Sequence, residues 1–139
     1  MSLDRFLQAQ ETHGSYECAL AELRAGEKTG HWIWWIFPQL RGLGTSEYSV
    51  FYGLADRAEA KAYLDHPVLG ARYRDCVGVV HGHLCEGGVA PLALMGSEID
   101  VAKLRSSLEL MLKVAPANEE SLRVHAGAIL PQINGFRTH

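Results

Sequence analysis

The chain has 139 residues, 47% of them hydrophobic and 21% charged, with a formal net charge of −3. This length predicts a single domain over residues 1–139 around one core, and the composition excludes disordered and fibrous classes. Lys and Arg stand singly in a mildly acidic chain, so we expect no nucleic-acid partner. No apolar run approaches the roughly eighteen residues that span a bilayer, so we expect no membrane association.

Apolar spacing is helical nearly everywhere. Phe6 with Ala9, then Tyr16, Leu20 and Leu23, step by three and four, which predicts two opening helices, the second capped by Ser15 and ended by Gly26. The run from Trp32 predicts a helical turn or two ending near Phe37, because Pro38 disfavours helical geometry at the residue before it. Thr45 or Ser46 caps a helix through Tyr52, and RAEAKAYL predicts another from Arg57 to Leu64. Pro67 suits the first turn of a helix capped near Asp65 or His66, carrying Leu69, Tyr73, Cys76, Val80 and Leu84 on one stripe and ended by Gly87 and Gly88. Ser97 or Asp100 starts a helix with Leu104, Leu108, Met111 and Leu112 facing inward, stopped by Pro116. Asn118, followed by Glu119 and Glu120, caps a last helix towards Pro131. The expected fold is an all-α bundle of about seven helices.

The N-terminal stretch MSLDRFLQAQETHGS lacks a signal-peptide pattern, and the three cysteines, Cys18, Cys76 and Cys85, form no C-x-x-C. Both features predict reduced thiols and a cytoplasmic protein.

The densest chemistry lies between His31 and Ser46, HWIWWIFPQLRGLGTS, which holds all three tryptophans. Three buried indoles contribute about 10–20 kcal/mol gross, enough to organise a core, and that explains most of the run. Core packing does not require the polar residues His31, Gln39 and Arg41 on a proline-broken, glycine-rich exit. Gly44 permits close backbone approach, and Ser46 at a helix start offers donors to an anion. Lys103, Ser106 and Ser107 share one helical face, with Asp100 a turn earlier, and we expect this face to form the charged wall of a pocket beside the tryptophans.

The expected ligand is a small, anionic, ring-bearing metabolite of nucleotide type. Trp32 and Trp34 would stack its ring, Gln39 would read its polar edge, and Lys28, Arg41 or Lys103 would meet its charge. His31 and Asp100 are the acid or base candidates should such a ligand be hydrolysed, although no nucleophile motif accompanies them. The competing expectation is an interaction or homo-oligomerisation module built on the same aromatics. His81, His83 and Cys85 carry metal-ligand chemistry, but on a helix His83 points away from the other two, so no metal site and no cofactor are expected. His66, before a proline, is expected to cap a helix.

Taken together, RFLQAQ, YECALAELRAGEKTGHWIWWIFPQLRGLGTS, AYLDHPVLGARY and DVAKLRSS resemble a bacterial family of unknown function, the domain of unknown function 1810 group, some of whose members carry a calpastatin label. The matching positions are His31, Trp32, Trp34, Phe37, Pro38, Gln39, Gly42, Gly44 and Ser46, then Tyr63, Leu64, His66, Pro67, Leu69, Gly70 and Arg72, then Asp100, Lys103, Ser106 and Ser107. The resemblance implies an all-α fold and no established reaction. The calpastatin label does not suit an apolar-cored chain, since a disordered inhibitor needs low hydrophobicity.

Overall fold

The computed structural model describes residues 3–136, and the regular structure in them is helical. In chain order the helices are α1 (Asp4–Glu11), α2 (Ser15–Ala25), α3 (Ile33–Ile36), α4 (Glu47–Tyr52), α5 (Arg57–Asp65), α6 (Leu69–His81), α7 (Pro91–Met95), α8 (Glu98–Val114) and α9 (Glu120–Ile133). Helix α6 packs against α2, α5 and α9, while α8 packs against α5, α7 and α9. The all-α expectation therefore holds, with more elements than the apolar spacing predicted. The short α7 was missed because a proline at its start and Gly96 at its end leave too few residues for a periodic stripe.

Several predicted caps form. The Ser46 hydroxyl accepts from the Ser49 N–H at 3.1 Å, and the Ser97 hydroxyl accepts from the Asp100 N–H at 3.1 Å. Each satisfies a first-turn donor with no partner inside its helix. His66 Nδ1 accepts from the Val68 and Leu69 N–H groups at 3.1 and 3.2 Å, which is the expected capping role. Gly26 ends α2 at φ 84°, a left-handed conformation in which a Cβ is costly.

Other boundaries differ for identifiable reasons. Ser15 is not the cap of α2: Gly14 takes that position, and the Ser15 hydroxyl accepts instead from the Trp35 indole N–H at 2.9 Å. The residue flanking the start of α9 is Glu119 and not Asn118, whose backbone carbonyl accepts from the Glu120 N–H at 3.0 Å. Pro131 lies inside α9, which runs on to Ile133. The α6 stripe leaves α-geometry at His81 and continues to Glu86 as a π-turn, closed by a bond from Gly87 N–H to the Gly82 carbonyl at 2.8 Å.

The core gathers Phe6, Trp32, Phe37, Tyr63, Tyr73 and Leu104 from five stretches of chain, each residue at most 3% exposed. Several of its polar atoms pair with one another. The Tyr63 hydroxyl donates to the Trp35 carbonyl at 3.0 Å, and the Gln10 amide donates to that carbonyl at 2.8 Å. The Tyr73 and Ser107 hydroxyls bond at 2.9 Å. At Gly70 an added Cβ would collide with the Leu64 carbonyl oxygen, so this glycine sets how closely α6 meets the end of α5.

Candidate functional site

Pro38 breaks the helical run after α3, and the chain then folds back on itself. The Arg41 N–H donates to the Leu54 carbonyl and the Leu54 N–H to the Gln39 carbonyl, both at 2.8 Å, tying the glycine-rich segment to the residues after α4. Its close fit needs small residues. A Cβ on Gly44 would lie 2.7 Å from the Ser49 hydroxyl, and one on Gly53 would lie 2.7 Å from the Arg41 Cα. This folded segment forms one wall of a cavity of about 830 Å³, and the first turns of α8 form the other.

Trp34, Gln39, Gly44, Ser46 and Lys103 all line that cavity, together with Tyr52. The Lys103 ammonium lies 4.6 Å from the centroid of the Trp34 ring. Tyr48 meets the same indole edge to face, with centroids 4.9 Å apart. The Trp34 Nε1 atom is buried and has no hydrogen-bond partner among the described residues. Burial lowers the Lys103 pKa below the usual lysine value; Asp100 works against that shift and Lys28 adds to it.

The structure takes the other expected ligand contacts elsewhere. Lys28 is buried, with its ammonium 2.7 Å from an Asp100 carboxylate oxygen and 2.6 Å from the Gly30 carbonyl. Trp32 is 3% exposed and belongs to the core, donating its indole N–H to Glu22 at 2.9 Å. Arg41 turns back to donate to the Val50 and Gly53 carbonyls at 3.1 and 3.2 Å, near the end of α4, where a cation is favoured. Ser107 is fully buried against Tyr73, and Ser106 lies outside the cavity lining. His31 is exposed and Asp100 is committed to Lys28, so neither acid or base candidate borders the cavity. The expected anion seat at Ser46 is also altered, because its hydroxyl is engaged in the α4 cap.

Trp35 lines a second, smaller hollow of about 380 Å³ with Thr12, His13 and Tyr48. Away from both hollows, the His81 ring packs on His125 with centroids 4.6 Å apart, and His83 Nε2 lies 3.1 Å from the Arg24 carbonyl. No group of three or more metal-capable side chains occurs among the described residues.

Sequence reasoning overlooked four residues. Glu98 and Phe136 line the cavity. Ile99, four positions before Lys103, shares its helical face, so that spacing could have revealed the α8 contribution. Nothing local marked Phe136. The fourth is Glu22, one carboxylate oxygen of which accepts from the Thr29 N–H, the Gly30 N–H and the Trp32 indole at 2.7, 2.8 and 2.9 Å. Burial alone would raise its pKa, but these bonds outweigh burial and hold it below the usual glutamate range.

The chain is similar to the crystal structure of the conserved hypothetical protein Rv1873 from Mycobacterium tuberculosis, at 39% identity and a TM-score of 0.82, over 98% of this chain and 89% of that one. No curated protein matches it. The chain belongs to the family described as Protein of unknown function (DUF1810), whose sequence model matches residues 1–127.

Proposed function

We propose that this member of the DUF1810 family binds a small, anionic, ring-bearing metabolite of nucleotide type in the cavity between Trp34 and Lys103. One observation carries the reading. The Lys103 ammonium projects over an indole at the cavity wall without an ion-pair partner among the described residues. An unpaired cation beside an aromatic surface suits a ligand that offers a ring and a negative charge together. The volume of about 830 Å³ fits such a ligand. In this reading the ring packs among Trp34 and Tyr52, the Gln39 amide meets its polar edge, and Lys103 meets its charge. Glu98, on the same lining, accepts from hydroxyl or amino groups. Hydrolysis is subordinate, since His31 and Asp100 stand outside the cavity. A cytoplasmic location belongs to the same reading, supported by three free cysteines.

Thermal-shift titration with nucleoside mono- and diphosphates tests the proposal. A ligand that raises Tm, with the rise abolished by Lys103→Ala and Gln39→Ala, supports it. Stabilisation indifferent to both substitutions removes the site assignment.

The rival reading, an interaction or self-association module, draws on one further observation: Tyr48, Val50 and Phe51 on α4 are 50%, 50% and 57% exposed. Sedimentation of the wild type beside Phe51→Ser decides that reading, which needs an assembly that the substitution disperses.

A further inference from the structure

We infer that Lys103 is a carbonyl-reactive amine, able to form a Schiff base with an aldehyde or ketone that enters the cavity. This inference rests on the reading of that cavity as a ligand site, but not on the ligand having a ring or a charge.

The reasoning starts from what surrounds each lysine. Lys28 is held by Asp100 and the Gly30 carbonyl, and Lys61 pairs with Asp65 at 2.6 Å. Lys113 is exposed, near the end of α8. Lys103 differs from all three: it is half-buried and lines a cavity large enough for a metabolite, and, although its ammonium lies over an indole as that of Lys28 does, it has no ion pair among the described residues. The Asp100 carboxylate, one turn earlier on α8, is the natural counterion, and Lys28 has taken it. A lysine stripped of water and of its counterion, with a second cation nearby, gives up its proton more readily. Burial is the main cause of the lowered Lys103 pKa and the Lys28 charge adds to it, while Asp100, paired with Lys28, only partly opposes the shift.

The step balances with groups at hand. Lys103 first releases a proton to water, and the neutral nitrogen's lone pair forms a bond to the carbonyl carbon while the C=O π-electrons move to oxygen. Proton transfer from nitrogen to oxygen gives a neutral carbinolamine, whose hydroxyl takes back a proton from the hydronium formed in the first step and leaves as water, so that the product is a protonated imine. That imine keeps the positive charge and so keeps the favourable contact with the Trp34 ring. No oxidant or reductant is consumed.

The test uses the full chain with pyridoxal 5′-phosphate, and separately with glycolaldehyde, which is small and uncharged. Sodium cyanoborohydride traps any imine by hydride addition, and peptide mass spectrometry locates the label. Lys103 is expected to label about tenfold faster than Lys61 and Lys113 with both probes, because burial at the cavity wall favours its neutral amine. Lys103→Arg, which keeps the charge over Trp34, is expected to remove that fast site and leave the slow ones. Labelling of Lys103 no faster than Lys61 or Lys113 overturns the inference, as does a preference seen with pyridoxal phosphate alone, which would report anion affinity. Nucleotide stabilisation without selective labelling would sink this inference and spare the binding proposal. Selective labelling with no nucleotide stabilisation would do the reverse.

Discussion

The Lys28 ammonium lies 2.7 Å from an Asp100 carboxylate oxygen, with the two side chains only 5% and 18% exposed. This ion pair joins the segment before α3 to the first turn of α8, which forms one wall of the cavity. The same ammonium donates to the Gly30 carbonyl, and the Lys28 N–H donates to the Leu94 carbonyl at 2.8 Å. Its role is to hold elements together, and it leaves Lys103 as the cation on the cavity wall.

Breaking that pair from one side strands a buried charge. Asp100→Asn is expected to destabilise the protein by about 2–3 kcal/mol, because Lys28 remains buried without its counterion. The double replacement Lys28→Met with Asp100→Leu is expected to recover most of the loss, since it removes both charges. Urea denaturation measures both, and an Asp100→Asn midpoint equal to the wild type would contradict this account.

The three donors on Glu22 organise residues 29–32. Glu22→Ala leaves the Thr29 and Gly30 N–H groups without their acceptor, so their amide hydrogen exchange is expected to accelerate strongly while the amides of α6 stay protected. Unchanged exchange at Thr29 and Gly30 would remove Glu22 from this role.

Glu59 receives two bonds from Arg5, at 2.8 and 3.3 Å, and one from the Ala55 N–H at 2.9 Å. Burial pushes its pKa up, but these donors outweigh burial and lower it. A carboxylate whose folded pKa is depressed contributes stability above its unfolded value of about 4.3, and that stability is lost as pH falls further through the folded value. Glu59→Gln is therefore expected to flatten the acid limb of the stability profile. An unchanged limb in denaturation series run at successive pH values would show that other carboxylates produce it.

The cysteines should separate by reactivity. Burial, with Asp75 adding to it, pushes the Cys76 thiol up to about 12, and burial followed by Glu86 raises Cys85. Cys18 is exposed. Iodoacetamide at mildly alkaline pH is expected to modify Cys18 first and to reach Cys76 only after unfolding, because the thiolate is the reacting species. Early alkylation of Cys76 in the folded protein would argue against its burial.

Local signals carried much of the architecture. Helical spacing at Leu104, Leu108 and Met111, the capping serines Ser46 and Ser97, and Gly26 after α2 each depend on a few neighbouring residues, so they were readable one segment at a time. Boundaries failed where a side chain found a distant partner instead. Ser15 bonds Trp35 rather than the start of its own helix. The candidate site was legible in the same uneven way: Trp34, Gln39, Gly44, Ser46 and Lys103 do share one cavity, while Lys28, Trp32, Arg41 and Ser107 are engaged in pairs that no spacing rule reveals.

The amino-acid order by itself determined an all-helical chain and the chemical types available to a site, because helix period, caps and turns are set by residues within a turn or two of one another. Which of the three indoles faces a cavity, and which of the cations stays unpaired there, was decided only by the tertiary structure. The physical reason is competition. Each buried charge or indole N–H must find a partner as water is excluded, and whether Asp100 goes to Lys28 or to Lys103 depends on how α8 docks against the segment before α3.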